Sequence, residues 1–217
     1  MKYLSHFLNK NTPLYGNRKE NLSIENASCI CSGAVANSLK ISFNNHVGTH
    51  IDLPKHFDDN GPLLNDYPAD FWKFSSIELL DLPCQEEYLI SIADLEGKIS
   101  EKTDFLIIRT GFEKFRYEEA YWKHNPGVDN KVGLWLRENF PQLRAIGFDF
   151  ISLNCFQKPD IGTISHREFL SIDYTGHPIL IVEDMKLAEI TGPIDSLVVA
   201  PLLLDKADGV PVTIFAF

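Results

Sequence analysis

The sequence predicts a layered domain of α/β or α+β type, on three observations. The 217 residues, 44% hydrophobic and 23% charged, have an ordinary globular composition, and no repeat or Gly/Ser linker divides 1–217, so one domain is expected. Short apolar runs bounded by turn residues recur, several apolar on consecutive positions, as in strands covered on both faces. Helical segments alternate with these runs in the second half, whereas the first half is rich in strand and loop.

Taken in order, strands are predicted at 76–83 ("SIELLDLP"), 104–112 ("DFLIIRTGF"), 143–150 ("LRAIGFDF"), 178–185 ("PILIVEDM") and 210–217 ("VPVTIFAF"). A helix over 114–124 ("KFRYEEAYWKH") ends before Asn125-Pro126-Gly127, a strong stop signal. A second, over 129–140 ("DNKVGLWLRENF"), starts at the cap candidate Asp129 and stops before Pro141.

Composition excludes several classes. A formal charge of −10 and the lack of any basic run argue against nucleic acid as a partner. No stretch approaches the roughly 18 apolar residues of a membrane span, and the N-terminus lacks a signal-peptide core, so a cytoplasmic protein is expected. Of the four cysteines, Cys29 and Cys31 form a lone C-x-C, read as small half-buried thiols in a reducing compartment. A domain of this size buries roughly 70% of its unfolded surface, so a metal here serves chemistry sooner than folding.

Three of the seven histidines fall in "HVGTHIDLPKHF", residues 46–57. A helix is ruled out, because Gly48 and Pro54 break it and Asp52 and His56 point away from His46 and His50. On an extended strand His46, His50, Asp52 and His56 share one face. His50 and Asp52 then lie about 6.5 Å apart, close enough to converge on one ion. His46 and His50 lie about 13 Å apart if fully extended, too far for a shared ion with bonds of about 2.1 Å. Gly48 tolerates a turn that brings the two imidazoles together. The reading is therefore a strand bent at Gly48-Thr49, a Pro54 loop presenting His56, and a metal site. His6, His124 and His177 lack such company, although His6 falls near the site if the N-terminal strand packs there.

This stretch resembles the H-x-G-T-H-x-D-x-P-x-H motif of the cyclase-like metal-dependent hydrolases, which include bacterial kynurenine formamidase and isatin hydrolase. Every fixed position is present. "YLSHFLNKNTPLYG", "YPADFWKFSSIELLDLP", "LIIRTG", "GFDFIS" and "APLLLDKADGVPV" look like further family segments, so the resemblance runs nearly full length. It implies a β/β/α layered domain assembled as a homodimer or homotetramer. It also implies His46, His50 and Asp52 as metal ligands, with Asp52 bridging two ions, and His56 as the catalytic acid/base. "SHREFL" and "PILIVEDM" make His166 and Glu183 the remaining ligands of a second metal. One departure is the longer link "SIDYTGHP" (171–178), which leaves Asp173 or His177 as substitutes at the second site.

The implied cofactor is one or two divalent ions per chain, Zn²⁺ or Mn²⁺, holding an acidified water and polarising a carbonyl. Hydrolysis of a small-molecule amide, formamide, cyclic imide or lactone follows, with N-formylkynurenine as the leading named substrate through the resemblance. A lyase, cyclase or dehydratase using the same ion, and a catalytically silent metal-binding protein, are the alternatives. No G-x-S-x-G elbow is present and Cys155 has no identifiable base, which counts against covalent nucleophile schemes. Tyr15, Phe71 and Trp72 are candidates for an apolar substrate wall, with core packing the commoner fate of each.

Overall fold

A computed structural model describes residues 1–217. In chain order its strands begin with β1 (Lys2–Tyr3), β2 (Leu22–Ser28), β3 (Ser38–Phe43), β4 (His50–Asp52), β5 (Lys73–Phe74), β6 (Ile77–Asp81) and β7 (Leu89–Ile90). They continue with β8 (Phe105–Arg109), β9 (Gly127–Val128), β10 (Ala145–Phe148), β11 (Leu180–Glu183), β12 (Leu197–Pro201) and β13 (Gly209–Ala216). Four short helices complete the chain: α1 (Ile92–Leu95), α2 (Glu119–Lys123), α3 (Val132–Asn139) and α4 (Pro159–Leu170). No helix is long and apolar enough to cross a membrane.

Nine strands form one sheet in the order β5-β12-β13-β4-β11-β10-β8-β6, with β1 added beside β13. From β11 to β6 the neighbours are parallel, and from β11 through β4, β13, β12 and β5 they are antiparallel. The consecutive apolar residues of the parallel strands divide between two cores. Phe105, Ile107, Ala145, Leu180 and Val182 meet Leu197, Val199, Val210, Val212 and Ile214 from the antiparallel half, so one part of the sheet packs on the other. Leu106, Ile108, Ile146 and Ile181 face away and are covered by Val132 and Leu136 of α3 and Phe169 and Leu170 of α4. The layers are therefore sheet, sheet and helix, the β/β/α arrangement expected.

All five predicted strands are present, four within the quoted runs and the last, β13, starting one residue earlier at Gly209. The helices differ. Residues 114–124 do not form one helix: a 3-10 turn at Phe112–Phe115 precedes the short α2, with Glu118 extended between them. The interruption turns Arg116 inward to a buried ion pair with Asp184 at 2.6 Å, which a continuous amphipathic helix does not provide. Asp129 is not the cap of α3. Lys131, in a left-handed conformation, occupies that position, and its N–H donates to the Glu168 carboxylate instead. Cys29 and Cys31 are joined in a disulfide at the tip of the β2–β3 hairpin, replacing the two free thiols expected.

Candidate metal centre

The register of the sheet assembles the first part of the site. β4 lies between β11 and β13, pairing His50 with Glu183 and Asp52 with Ile181 on one side and Asp52 with Gly209 on the other. Ile51 points into the inter-sheet core, so His50 and Asp52 emerge on the opposite face together with Glu183. The chain reaches this strand through a bend at Gly48, where φ is +62°. The positive φ favours glycine, and a Cβ there, 2.4 Å from Leu8 Cδ2, would also push that side chain aside. The bend brings the His46 and His50 rings to 5.3 Å between centroids. Beyond β4, a 3-10 turn at Pro54–His56 returns the His56 ring against His46, stacked at 3.8 Å. His166 arrives from α4, its ring covered by Phe57 at 4.5 Å.

Hydrogen bonding fixes how these imidazoles face. The Nδ1 atoms of His50 and His166 bond the carbonyls of Gly48 and Gly162, each at 2.8 Å. That directs both Nε2 atoms at the carboxylates. His50 Nε2 lies 3.4 Å from Asp52 Oδ1 and 3.5 Å from Glu183 Oε2. His166 Nε2 lies 3.8 Å from Asp52 Oδ2 and 3.6 Å from Glu183 Oε1. Charge-assisted hydrogen bonds close to about 2.7–2.9 Å. Ligands around a tetrahedral cation with bonds of about 2.1 Å stand about 3.4 Å apart, so the spacing fits a shared ion. All four side chains are at most 5% exposed as residues, which leaves two carboxylates in a site with no Lys or Arg.

His46 Nδ1 bonds Asp52 Oδ1 at 2.7 Å. One nitrogen each of His46 and His56 and one Asp52 oxygen fall within 4.8 Å of one another, as do donors of His50, Asp52 and Glu183. Two groups of possible donors thus overlap at Asp52; the His46–Asp52 distance is that of a hydrogen bond, whereas the spacing of His50, Asp52, Glu183 and His166 fits a divalent cation as it stands. Glu183 is steadied by the Ser152 hydroxyl at 3.1 Å and the Leu153 N–H at 2.7 Å, both donating to Oε1. Asp173 and His177, the alternatives offered by the 171–178 link, are exposed, and His177 Nε2 bonds the Leu143 carbonyl instead. His124 pairs with Glu87 outside the site. His6 sits behind it, with its backbone N–H donating to Thr49 Oγ1 at 2.9 Å.

One carboxylate escaped the sequence reading. Asp208 Oδ2 bonds His56 Nδ1 at 3.0 Å and His46 Nε2 at 3.2 Å, while Oδ1 accepts from Asn45 Nδ2 at 2.6 Å. Its only signal was its place in "DKADGVPV", the segment resembling the family's Asp-Gly-x-Pro.

The chain's own charges set the titration of the cluster. Burial works to lower His46, yet the Asp52 and Asp208 carboxylates raise it to about 10. Burial likewise opposes His50 and His166, and Asp52 and Glu183 respectively carry both above the ordinary histidine value. His56 goes the other way: burial, reinforced by His46, lowers it despite Asp52. The hydrogen bond from His46, joined by that from His56, holds Asp208 well below the usual carboxylate range.

The cluster opens into a cavity of about 200 Å³ walled by Leu14, Tyr15, Phe57 and Ile151. Of the three aromatic candidates only Tyr15 lines it. Phe71 and Trp72 pack with the inter-sheet core.

A β/β/α fold with a His/Asp/Glu cluster gathered around a central strand defines a protein suited to hold a divalent cation beside a small cavity. The family described as putative cyclase matches residues 3–154, and the chain belongs to it. A kynurenine formamidase of Bacillus cereus is 28% identical over 181 residues, covering 83% of this chain and 79% of its own. Among solved structures, isatin hydrolase A of Labrenzia aggregata superposes with a TM-score of 0.80 at 18% identity, over 98% of this chain and 91% of that one. A potential metal-dependent hydrolase with cyclase activity superposes with a TM-score of 0.75 at 22% identity, over 98% and 95%. These structural likenesses establish the shared fold.

Proposed function

We propose that this chain is a metal-dependent hydrolase of small carbonyl compounds, cleaving an amide, formamide, cyclic imide or lactone. Arylformamidase-like conversion of N-formylkynurenine to kynurenine and formate is the leading named reaction, supported by the kynurenine formamidase relative. The observation that carries the reading is a histidine free to move protons, His56, oriented by Asp208 directly beside the donor cluster.

His46, His50, Asp52, His166 and Glu183 are the residues that would hold the metal, with Asp52 common to both donor groups. A divalent cation bound there supplies Lewis-acid polarisation of a carbonyl and acidification of water. His56 commits Nδ1 to Asp208, which leaves Nε2 to take a proton from the attacking water and return it to the leaving nitrogen or oxygen. The water oxygen bonds to the carbonyl carbon as the C–N or C–O bond breaks, so no other reactant is needed. Stacking against His46 holds the His56 ring in place. Phe57 covers His166 and shields the cluster from bulk water. A second copy of the chain is the proposed partner, supported by the exposed Ile30, Val35, Leu39 and Ile41 of the β2–β3 hairpin.

The test is metal analysis of protein purified without added metal, then a screen of aryl formamides, lactones and cyclic imides in heavy-oxygen water. Hydrolysis places solvent oxygen in the acid product, whereas its absence indicates elimination or cyclisation. His56→Ala is expected to keep its metal and fold, with kcat lower by roughly 10²- to 10⁴-fold and KM little changed. Loss of metal in parallel with activity would make His56 a ligand, and full activity would remove it from the chemistry.

A further inference from the structure

The tip of the β2–β3 hairpin carries chemistry that the metal centre does not use. Cys29 and Cys31 are bonded to each other there, with only Ile30 between them. A disulfide stabilises a fold by closing a loop in the unfolded chain, and its effect grows with the length of that loop. A link across two positions closes almost none. The hairpin is in any case fixed by strand pairing, from Leu22 opposite Phe43 to Ser28 opposite Ser38. The bond therefore contributes little to folding.

The turn itself holds the two cysteines together. The Cys29 carbonyl accepts from the Ser32 N–H at 3.0 Å, the Ala34 N–H at 3.2 Å and the Ser32 hydroxyl at 2.9 Å. Asn37 Oδ1 accepts from the Ile30 N–H at 2.9 Å, and the Ser28 hydroxyl donates to the Ala36 carbonyl at 2.8 Å. None of these bonds involves sulfur. The backbone thus sets the 5.2 Å between the two Cα atoms, within the span of a disulfide. Opening the S–S bond leaves two thiols already placed to close it again.

Exposure and hydrogen bonding distinguish the two sulfurs. Cys31 is exposed, and a Cβ at nearby Gly33 would meet nothing within 4 Å, so the tip is open to solvent. Cys29 is half-buried, and its Sγ accepts from the Cys31 N–H at 3.2 Å, a bond that stabilises a thiolate there. The other two cysteines are unlike them: burial pushes the Cys84 thiol up to about 12, and Cys155 is buried. Exposed disulfides are the ones that exchange readily.

We infer that Cys29 and Cys31 form a thiol–disulfide exchange site for low-molecular-weight thiols, separate from the metal centre. A small thiolate attacks the exposed Cys31 Sγ, the S–S bond breaks, and Cys29 leaves as the thiolate that the Cys31 N–H stabilises. A second small thiolate attacks the outer sulfur of the mixed disulfide, releasing Cys31 and a small-molecule disulfide. Two small thiols are oxidised as the protein pair takes up two electrons and two protons. The reverse sequence, begun by Cys31, oxidises the pair. No residue of 22–43 lines the cavity of the donor cluster, so the site is independent of the hydrolase reading.

Glutathione is the probe. Full-length protein is equilibrated without denaturant in glutathione buffers of graded ratio and quenched with an alkylating reagent. Mass spectrometry then reads the intact chain and the peptide holding both cysteines. Excess reduced glutathione is expected to yield two alkyl groups on that peptide and excess oxidised glutathione none. Cys84 and Cys155 stay the same at both ends, with circular dichroism constant. Cys29→Ser cannot complete the cycle and is expected to accumulate one glutathione per chain, on Cys31. Cys31→Ser, whose remaining sulfur is half-buried, takes up glutathione more slowly. A bond that survives excess reduced glutathione until the chain unfolds would make the pair structural and overturn the assignment. So would a reduced pair that stays open in oxidised glutathione, or a pair kept inert by a second copy packed on the hairpin. The wild-type titration decides without either variant.

Discussion

Replacing Asp208 by Asn probes how the proton-moving histidine is held. The substitution keeps the shape of the side chain but removes the charge that accepts from His56 Nδ1 at 3.0 Å and His46 Nε2 at 3.2 Å. A hydrogen bond to a charged group is worth about 1.5–3 kcal/mol when dry. The Asp208 side chain is 37% exposed and that of His56 29%, so solvent screening brings the loss at His56 to about 1.4–2.5 kcal/mol. That corresponds to a fall in kcat of roughly ten- to seventyfold. The carboxamide also offers an N–H where a carboxylate oxygen stood, which favours the wrong His56 tautomer. Because Asp208 bonds His46 as well, metal affinity weakens, by up to the ten- to hundredfold typical of an outer partner. The assay is therefore steady-state turnover of an aryl formamide at saturating metal, with metal content measured on the same preparation. Unchanged kcat at full occupancy would refute a role for Asp208 in orienting His56. A KM effect with kcat intact would move Asp208 from proton transfer to substrate binding.

Two further outcomes follow from the geometry. Glu183→Gln is expected to reduce metal content towards one ion per chain, while His177→Ala leaves it unchanged, because Glu183 faces His50 and His166 whereas His177 bonds the Leu143 carbonyl. The opposite result, read by elemental analysis, would place a 171–178 residue in the site. The second concerns pH and stability. His6, packed near Glu113, Asp184, Arg116 and Lys186, is lowered by burial to about 4 from an ordinary 6.5. The unfolded chain therefore binds this proton first as pH falls, and stability is lost between 6.5 and 4, by about 3 kcal/mol in all. His6→Gln is expected to flatten that part of the urea-unfolding profile, and an unaltered slope between pH 7 and 4.5 would show that His6 is not held neutral.

The parallel half of the sheet was legible because its strands are covered on both faces, so Phe105–Arg109 and Leu180–Glu183 read as unbroken apolar runs. Strand β12 and the β2–β3 hairpin went unread. β2 and β3 have no fully buried face, hence no marked alternation, and β12 was quoted only as part of a C-terminal segment. Helix α4 carries Gly162 in its interior, which weakens its local helix signal even though it begins at a proline. At the site, parity and Gly48 gave the bend of residues 46–56 from sequence alone, since both effects are local. His166 and Glu183 entered only through the resemblance, because contacts across more than a hundred residues leave no trace in spacing. Asp208 shows the same limit, meeting its neighbours through the pairing of β4 with β13.

Asp52 is where the account is most exposed to test. Its residue is 1% exposed, it touches His46 and His50 through Oδ1 and faces His166 through Oδ2, and both donor groups share it. The direct measurement is divalent metal per chain in wild type and Asp52→Asn, purified identically and checked for folding by circular dichroism. The account predicts one to two ions per chain in the wild type and loss of most of that metal in the variant, since a shared carboxylate supplies both charge and geometry. A folded Asp52→Asn protein that keeps its full metal content would contradict it.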